Sequence, residues 1–148
     1  MRSRTSNWFL CKIRYEKMME DGLQKKVTEQ YVVDGLSFTE AEARIIEEMK
    51  SYISGEFEVR EIDRCAFNEV FFEDDTLADK WYKSKLQFIT IDEKTEKEKR
   101  TTVNYLVQGY SLENARKNID EVMGSTMIDY VISAVSETNI VDVFEYKS

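Results

Sequence analysis

The stretch YVVDGLSFTEAEARIIEEM, from Tyr31 to Met49, returns as YLVQGYSLENARKNIDEVM from Tyr105 to Met123. The offset is 74 (105 − 31), and it sets Val33, Gly35, Ser37, Ala41, Ile45 and Met49 against Val107, Gly109, Ser111, Ala115, Ile119 and Met123. Each string reads as a strand, a sharp corner and a helix. Gly35 and Gly109 end the strand; Ser37 and Ser111 have the side chain that accepts a hydrogen bond from the first helical turn. Ser37 with Glu40 forms a capping box, and Asn114 in the second copy makes a weaker one. Apolar residues then recur at helical spacing, as Phe38, Ala41, Ile45 and Met49 and as Leu112, Ala115, Ile119 and Met123, one buried stripe per helix. Gly124 is placed to stop the second helix.

Working outward, WFLCKIRY from Trp8 matches WYKSKLQF from Trp81 at an offset of 73 (81 − 8), so one residue slips in the hairpin loops. The first segment alternates. Phe9, Cys11, Ile13 and Tyr15 point one way, Trp8, Leu10, Lys12 and Arg14 the other. The polar loops MMEDGLQK and DEKTEKEK turn these strands into the next ones and are too long for two-residue turns. Downstream, FEVREI from Phe57 lies on YVISAV from Tyr130, and NEVFF from Asn68 on VDVFE from Val141.

The expected fold is therefore α+β, a tandem duplication of a ββαβ unit. An antiparallel sheet carries one helix per repeat on one face, with a shared core. Residues 1–148 make a single domain of two repeats, about 7–72 and 80–146, joined by an acidic linker over 73–79. One copy alone is near the lower size limit for an independent core.

Composition narrows the chemistry. Hydrophobic residues are 42% and charged residues 34% of the chain, an ordinary globular balance. There is no histidine, which removes Ser-His-Asp and Cys-His nucleophiles, His-ligated metals and imidazole acid–base catalysis. Cys11 and Cys65 alone cannot build a structural zinc site, and both read as buried structural thiols of a reducing compartment. The five glycines stand singly, so no phosphate-binding loop exists. The linker carboxylates Glu73, Asp74, Asp75 and Asp79 lack the ligand spacing of a calcium loop and read as solvated. Ser37 and Ser111 read as caps, not nucleophiles. No metal, cofactor or catalytic residue is expected, and the sequence points away from an enzyme.

No apolar run approaches the ~18 residues of a membrane span, and the opening MRSRTSNWFLCKIRYEK is broken at Lys12, too soon for a signal peptide. A cytoplasmic protein with no membrane partner is expected. The net charge of −8 works against generic attraction to polyanions. One surface nevertheless has the composition of a binding site. Trp8, Lys12 and Arg14 share the outward side of the first strand, as do Trp81, Lys83 and Lys85 in the second copy. Rings interleaved with cations stack bases and track phosphates. The alternative is a solvated face whose lysines pair with Glu58, Glu29 and Glu16, with each Trp plugging the sheet edge.

The strings NWFLCKIRYEK, LSFTEAEARIIEEM, ISGEFEV and KWYKSKLQFITIDEK resemble a domain-of-unknown-function family of Bacteroides-type gut bacteria, their mobile elements and phages. The resemblance runs over almost the whole chain. It implies a small intracellular protein of phage or mobile-element origin and carries over no site residue. The expected function is a non-catalytic binding or adaptor protein that takes a protein partner or single-stranded nucleic acid through a sheet face. The alternatives are a carboxylate and divalent-metal enzyme, or a structural protein forming homo-oligomers through sheet edges.

Overall fold

The computed structural model describes residues 1–146. The fold is α+β, with the elements β1 (Arg2–Thr5), β2 (Trp8–Met18), β3 (Gln24–Asp34), α1 (Phe38–Tyr52), β4 (Phe57–Arg64), β5 (Glu69–Phe72), β6 (Lys80–Ile91), β7 (Glu98–Gly109), α2 (Leu112–Gly124), β8 (Asp129–Glu137) and β9 (Ile140–Phe144). The chain divides into two compact units. The α1 unit holds Ser6–Cys65 and the chain from Asn139 on; the α2 unit holds Met1–Thr5 and Ala66–Thr138. This division does not follow the repeat boundary at 73–79.

In the α1 unit a four-stranded sheet runs β4-β2-β3-β9. β2 and β3 form an antiparallel hairpin from Trp8↔Asp34 to Met18↔Gln24. The alternation read from the sequence holds here. Phe9, Cys11, Ile13, Tyr31 and Val33 turn toward α1 and meet Ala41, Ile45 and Met49 in one buried cluster. Burying an aliphatic or aromatic side chain of this size contributes about 1.5–3 kcal/mol, so this stripe fixes the helix on the sheet. Phe38 stands at the margin, edge-on to Phe9 at 5.1 Å.

The α2 unit has a five-stranded sheet, β1-β5-β7-β6-β8. Its core gathers Phe71, Tyr82, Leu86, Tyr105 and Val107 against Ala115, Ile119 and Met123. The loop between β6 and β7 spans 92–97 and that between β2 and β3 spans 19–23, which is the one-residue slip seen in the alignment.

Both sheets are mixed, and here the expectation of a purely antiparallel sheet is corrected. β9 runs parallel to β3, with Val32↔Val143, and β5 runs parallel to β7, with Val70↔Leu106. The strand that follows β4 in sequence therefore joins the sheet of β6 and β7. The strand that follows β8 joins the sheet of β2 and β3. A strand delivered from the other half of the chain has the long connection that parallel pairing requires.

The corners form as read. Ser37 accepts from the Glu40 N–H at 3.1 Å, and Glu40 Oε1 accepts from the Leu36 N–H at 3.0 Å. Ser111 accepts from the Asn114 N–H at 3.0 Å, and Asn114 Oδ1 accepts from the Tyr110 N–H at 3.1 Å. The Asn box thus closes at the same lengths as the Glu box. Gly124 does not act as the expected stop. It is the last residue of α2, the cap is Ser125 with φ −83°, and the Ser125 and Thr126 hydroxyls donate to the carbonyls of Val122 and Met123.

Candidate functional site

The residues singled out on β2 and β6 lie on the face away from the helices, as the alternation requires, but the rings are not available there. Trp8 is 2% exposed and Trp81 3%. Trp81 packs edge-on against Phe72 at 5.7 Å. The flanking outward positions Val32 and Leu106 are fully buried as well. A base stacks on an exposed ring face, and both indoles are covered in this structure.

The cations remain at the surface. Lys12 Nζ sits 3.0 Å from Glu61 Oε2 across the β2–β4 pair, and Arg14 stands between Thr28 and Glu58 in register. Lys83 and Lys85 are exposed on β6, between Leu106 and Ser136 and between Asn104 and Ala134. The structure groups Lys12 with Arg14 in the α1 unit and Lys83 with Lys85 in the α2 unit. Lys12 and Arg14 are half-buried, Lys83 and Lys85 exposed, and each pair shares its strand with a buried Trp. Lys17 meets Glu29 at 3.4 Å on the opposite side of the hairpin, and Glu61, the partner of Lys12, was not among the partners expected for the face lysines.

Glu61 and Asp63 alternate along β4. Lys12 holds Glu61 below the usual carboxylate range, and the hydrogen bond to Glu61 raises Asp63. Glu29 accepts from the Tyr15 hydroxyl at 2.7 Å and the Tyr31 hydroxyl at 3.0 Å, tying the hairpin's inner face together. Burial and then Glu29 push the Tyr15 phenol up to about 12, so it stays protonated and donates at all ordinary pH. In the linker, Glu73 and Asp75 accept from main-chain N–H groups two residues on. Among the described residues no three Cys, Asp or Glu side chains converge as a metal site. Cys11 is buried and its thiol is pushed up to about 12 by that burial, while Cys65 is half-buried.

Apolar side chains are exposed at several places, two of them at the start of each helix. At the start of α1, Leu36 is 80% exposed and Phe38 47%; at the start of α2, Tyr110 is 47% and Leu112 51% exposed. These are the residues on either side of the two capping serines. Beside Phe38, a groove of about 280 Å³ runs between the first turn of α1 and β4, over Thr39, Val59 and Ile62. Sequence reasoning counted Phe38 and Leu112 into the core stripe and left Leu36 and Tyr110 unassigned. The first helical position lies beyond the sheet that the stripe covers, and a residue before the cap lies outside the helical period altogether.

An α+β chain of two units, each with a capped and exposed strand-to-helix corner, is the class these features define. The chain belongs to the family described as a domain of unknown function, DUF4494, whose model matches residues 7–146. No curated protein and no solved structure matches it. Among the described residues no helix is long and apolar enough to cross a membrane.

Proposed function

We propose that this chain is a non-catalytic binding module that docks a protein partner through the helix-start corners of its two units. The observation that carries the reading is the recurrence of two exposed apolar side chains at the same positions of both corners, Leu36 with Phe38 and Tyr110 with Leu112. Single exposed apolar residues are ordinary on any surface. Their return in pairs beside both capping serines gives two like contact points on rigid elements, which suits a partner better than chance exposure does. Glu40 and Glu113, in the first turn of each helix, stand at these corners and favour a basic rim on the partner.

The proposal includes the origin of the two units in a tandem duplication of a ββαβ unit. It is supported by the equivalent corner hydrogen bonds and by bulges at matching positions, Arg60 in β4 and Ser133 in β8, which stand at the offset of 73 (133 − 60). The resemblance drawn from the sequence favours carriage by phages or mobile elements and action in the cytoplasm.

The test places a photo-crosslinking residue at Leu36 and, separately, at Leu112 in the producing cell. One and the same identified protein should be captured from both corners. Leu36→Glu with Leu112→Glu should abolish its binding while the melting temperature stays within a few degrees. Failure of either corner to capture a protein would remove the reading. Quenching of tryptophan fluorescence by single-stranded DNA or RNA at low salt would restore the nucleic-acid alternative in its place.

A further inference from the structure

β8 is the outer strand of its sheet. It is hydrogen-bonded on one side to β6, and among the described residues no strand pairs with its other side. An open edge presents a row of unpaired N–H and C=O groups that any extended chain can join, and folded proteins blunt such edges with charge, bulges or shortness. β4 is the matching outer strand of the α1 unit and is blunted by charge: Glu58, Arg60, Glu61, Asp63 and Arg64 fall within eight residues. β8 is nine residues long and carries charge only at its ends, on Asp129 and Glu137. From Tyr130 through Ser136 it is neutral. Val131 is 40% exposed, and Met127 and Ile128 just ahead of it are exposed too.

We propose that the β8 edge pairs antiparallel with β8 of a second copy of this chain across a two-fold axis. The choice of occupant follows from charge. A two-fold arrangement centred on Val131 sets Val131 against its own copy and Tyr130 against Ile132, with no like charges directly opposite. Apolar and β-branched cross-strand pairs each contribute roughly 0.2–1 kcal/mol. A basic strand would find no carboxylate along the neutral stretch. The bulge at Ser133 bends β8 and confines the ladder to its N-terminal half. The contact is therefore small, under the ~1,200 Å² of standard interfaces, and the dimer is weak and concentration-dependent. Each copy carries a net charge of −8, so the long-range term is repulsive and salt screens it. Salt must strengthen this dimer, whereas it would weaken a contact made by opposite charges.

Sedimentation equilibrium on the whole chain decides the matter, run between about 10 µM and about 1 mM where a weak dimer populates. The expected result is a mass that rises above 17.5 kDa with concentration and rises further at high salt. Val131→Lys sets two ammonium groups face to face and should weaken the dimer at least tenfold; Ala134→Lys, past the bulge, should leave it intact. Both sites are at the surface, and an unchanged melting curve checks the fold. Leu36→Glu should leave the dimer intact, which separates this edge from the partner corners. A monomer at every concentration, a dimer that weakens with salt, a dimer that survives Val131→Lys, or one that Ala134→Lys breaks as well would each overturn the proposal.

Discussion

The two units hold the end of an incoming strand with the same geometry and different chemistry. Past β9, the Tyr146 N–H donates to Asp34 Oδ1 at 2.9 Å; past β5, the Glu73 N–H donates to Gln108 Oε1 at 2.9 Å. A side chain from mid-helix completes each latch. Arg44 donates to the Asp34 carbonyl at 2.6 Å, and Asn118 donates to the Gln108 carbonyl at 3.0 Å. In the α1 unit the latch is ionic: Arg44 lies 3.6 Å from Asp34 Oδ1 and 3.1 Å from Glu40, with its guanidinium over the Tyr146 ring at 4.6 Å. Tyr146 in turn donates to Glu48 at 2.7 Å. In the α2 unit the latch hydrogen bonds come from neutral amides. The same strand end can thus be fixed by charge or by amide hydrogen bonds, but the two latches should fail differently.

Both latches depend on the helix stripe beneath them. Ile45→Asp or Ile119→Asp buries a carboxylate among apolar side chains and should cost more than about 4 kcal/mol in a denaturant titration. A midpoint that hardly moves for either variant would place that stripe in solvent. The latch itself comes next. Asp34→Ala leaves Arg44 without its buried partner and should cost about 3 kcal/mol. Gln108→Ala removes two neutral hydrogen bonds and should cost about 1–2 kcal/mol. Equal losses would erase the distinction between the ionic and the amide form.

A smaller difference is expected at the corners. A Cβ on Gly109 would fall 2.9 Å from Asn114 Oδ1 and 3.3 Å from the Ala115 nitrogen, while the nearest atom at Gly35 is 3.4 Å away. The shorter Asn side chain pulls its corner tighter than Glu40 does. Gly109→Ala should therefore lower stability by about 1 kcal/mol more than Gly35→Ala; the reverse order would mean that the Asn box is the looser one. The smallest effect belongs to the longer hairpin loop. Glu96 has φ 57°, in the left-handed region where glycine is preferred, and Glu96→Gly should raise stability by about 0.5 kcal/mol. Gly22 already fills the like role in the other hairpin with φ 84°.

Much of each unit was legible because local chemistry decides it. The Gly-x-Ser corner, the capping pairs and the stripes of Ala41, Ile45 and Met49 and of Ala115, Ile119 and Met123 are set by neighbours a few residues away. The burial of Trp8 and Trp81 was missed for a definite reason. Alternation says which way a side chain points and nothing about what covers that side. The overlooked signal lies in the opening strings themselves: Tyr31-Val32-Val33 and Tyr105-Leu106-Val107 are unbroken apolar runs, the mark of a strand buried on both faces. The exchange of β5 and β9 left no local trace. EVFF and IVDVF are short apolar strands that suit either sheet, and only long-range pairing chooses between them. The open edge at β8 could have been read from DYVISAVSE, which lacks the charges that FEVREIDR places on β4.

The exchange of strands is what gives each latch something to hold, and it is directly measurable. In a nuclear Overhauser spectrum of the isotope-labelled chain, main-chain protons of Val143 should lie against those of Val32, and those of Val70 against Leu106. Cross-peaks joining Val70 to Val32 and Val143 to Leu106 instead would show each short strand packed on its own half of the chain, and would contradict the account.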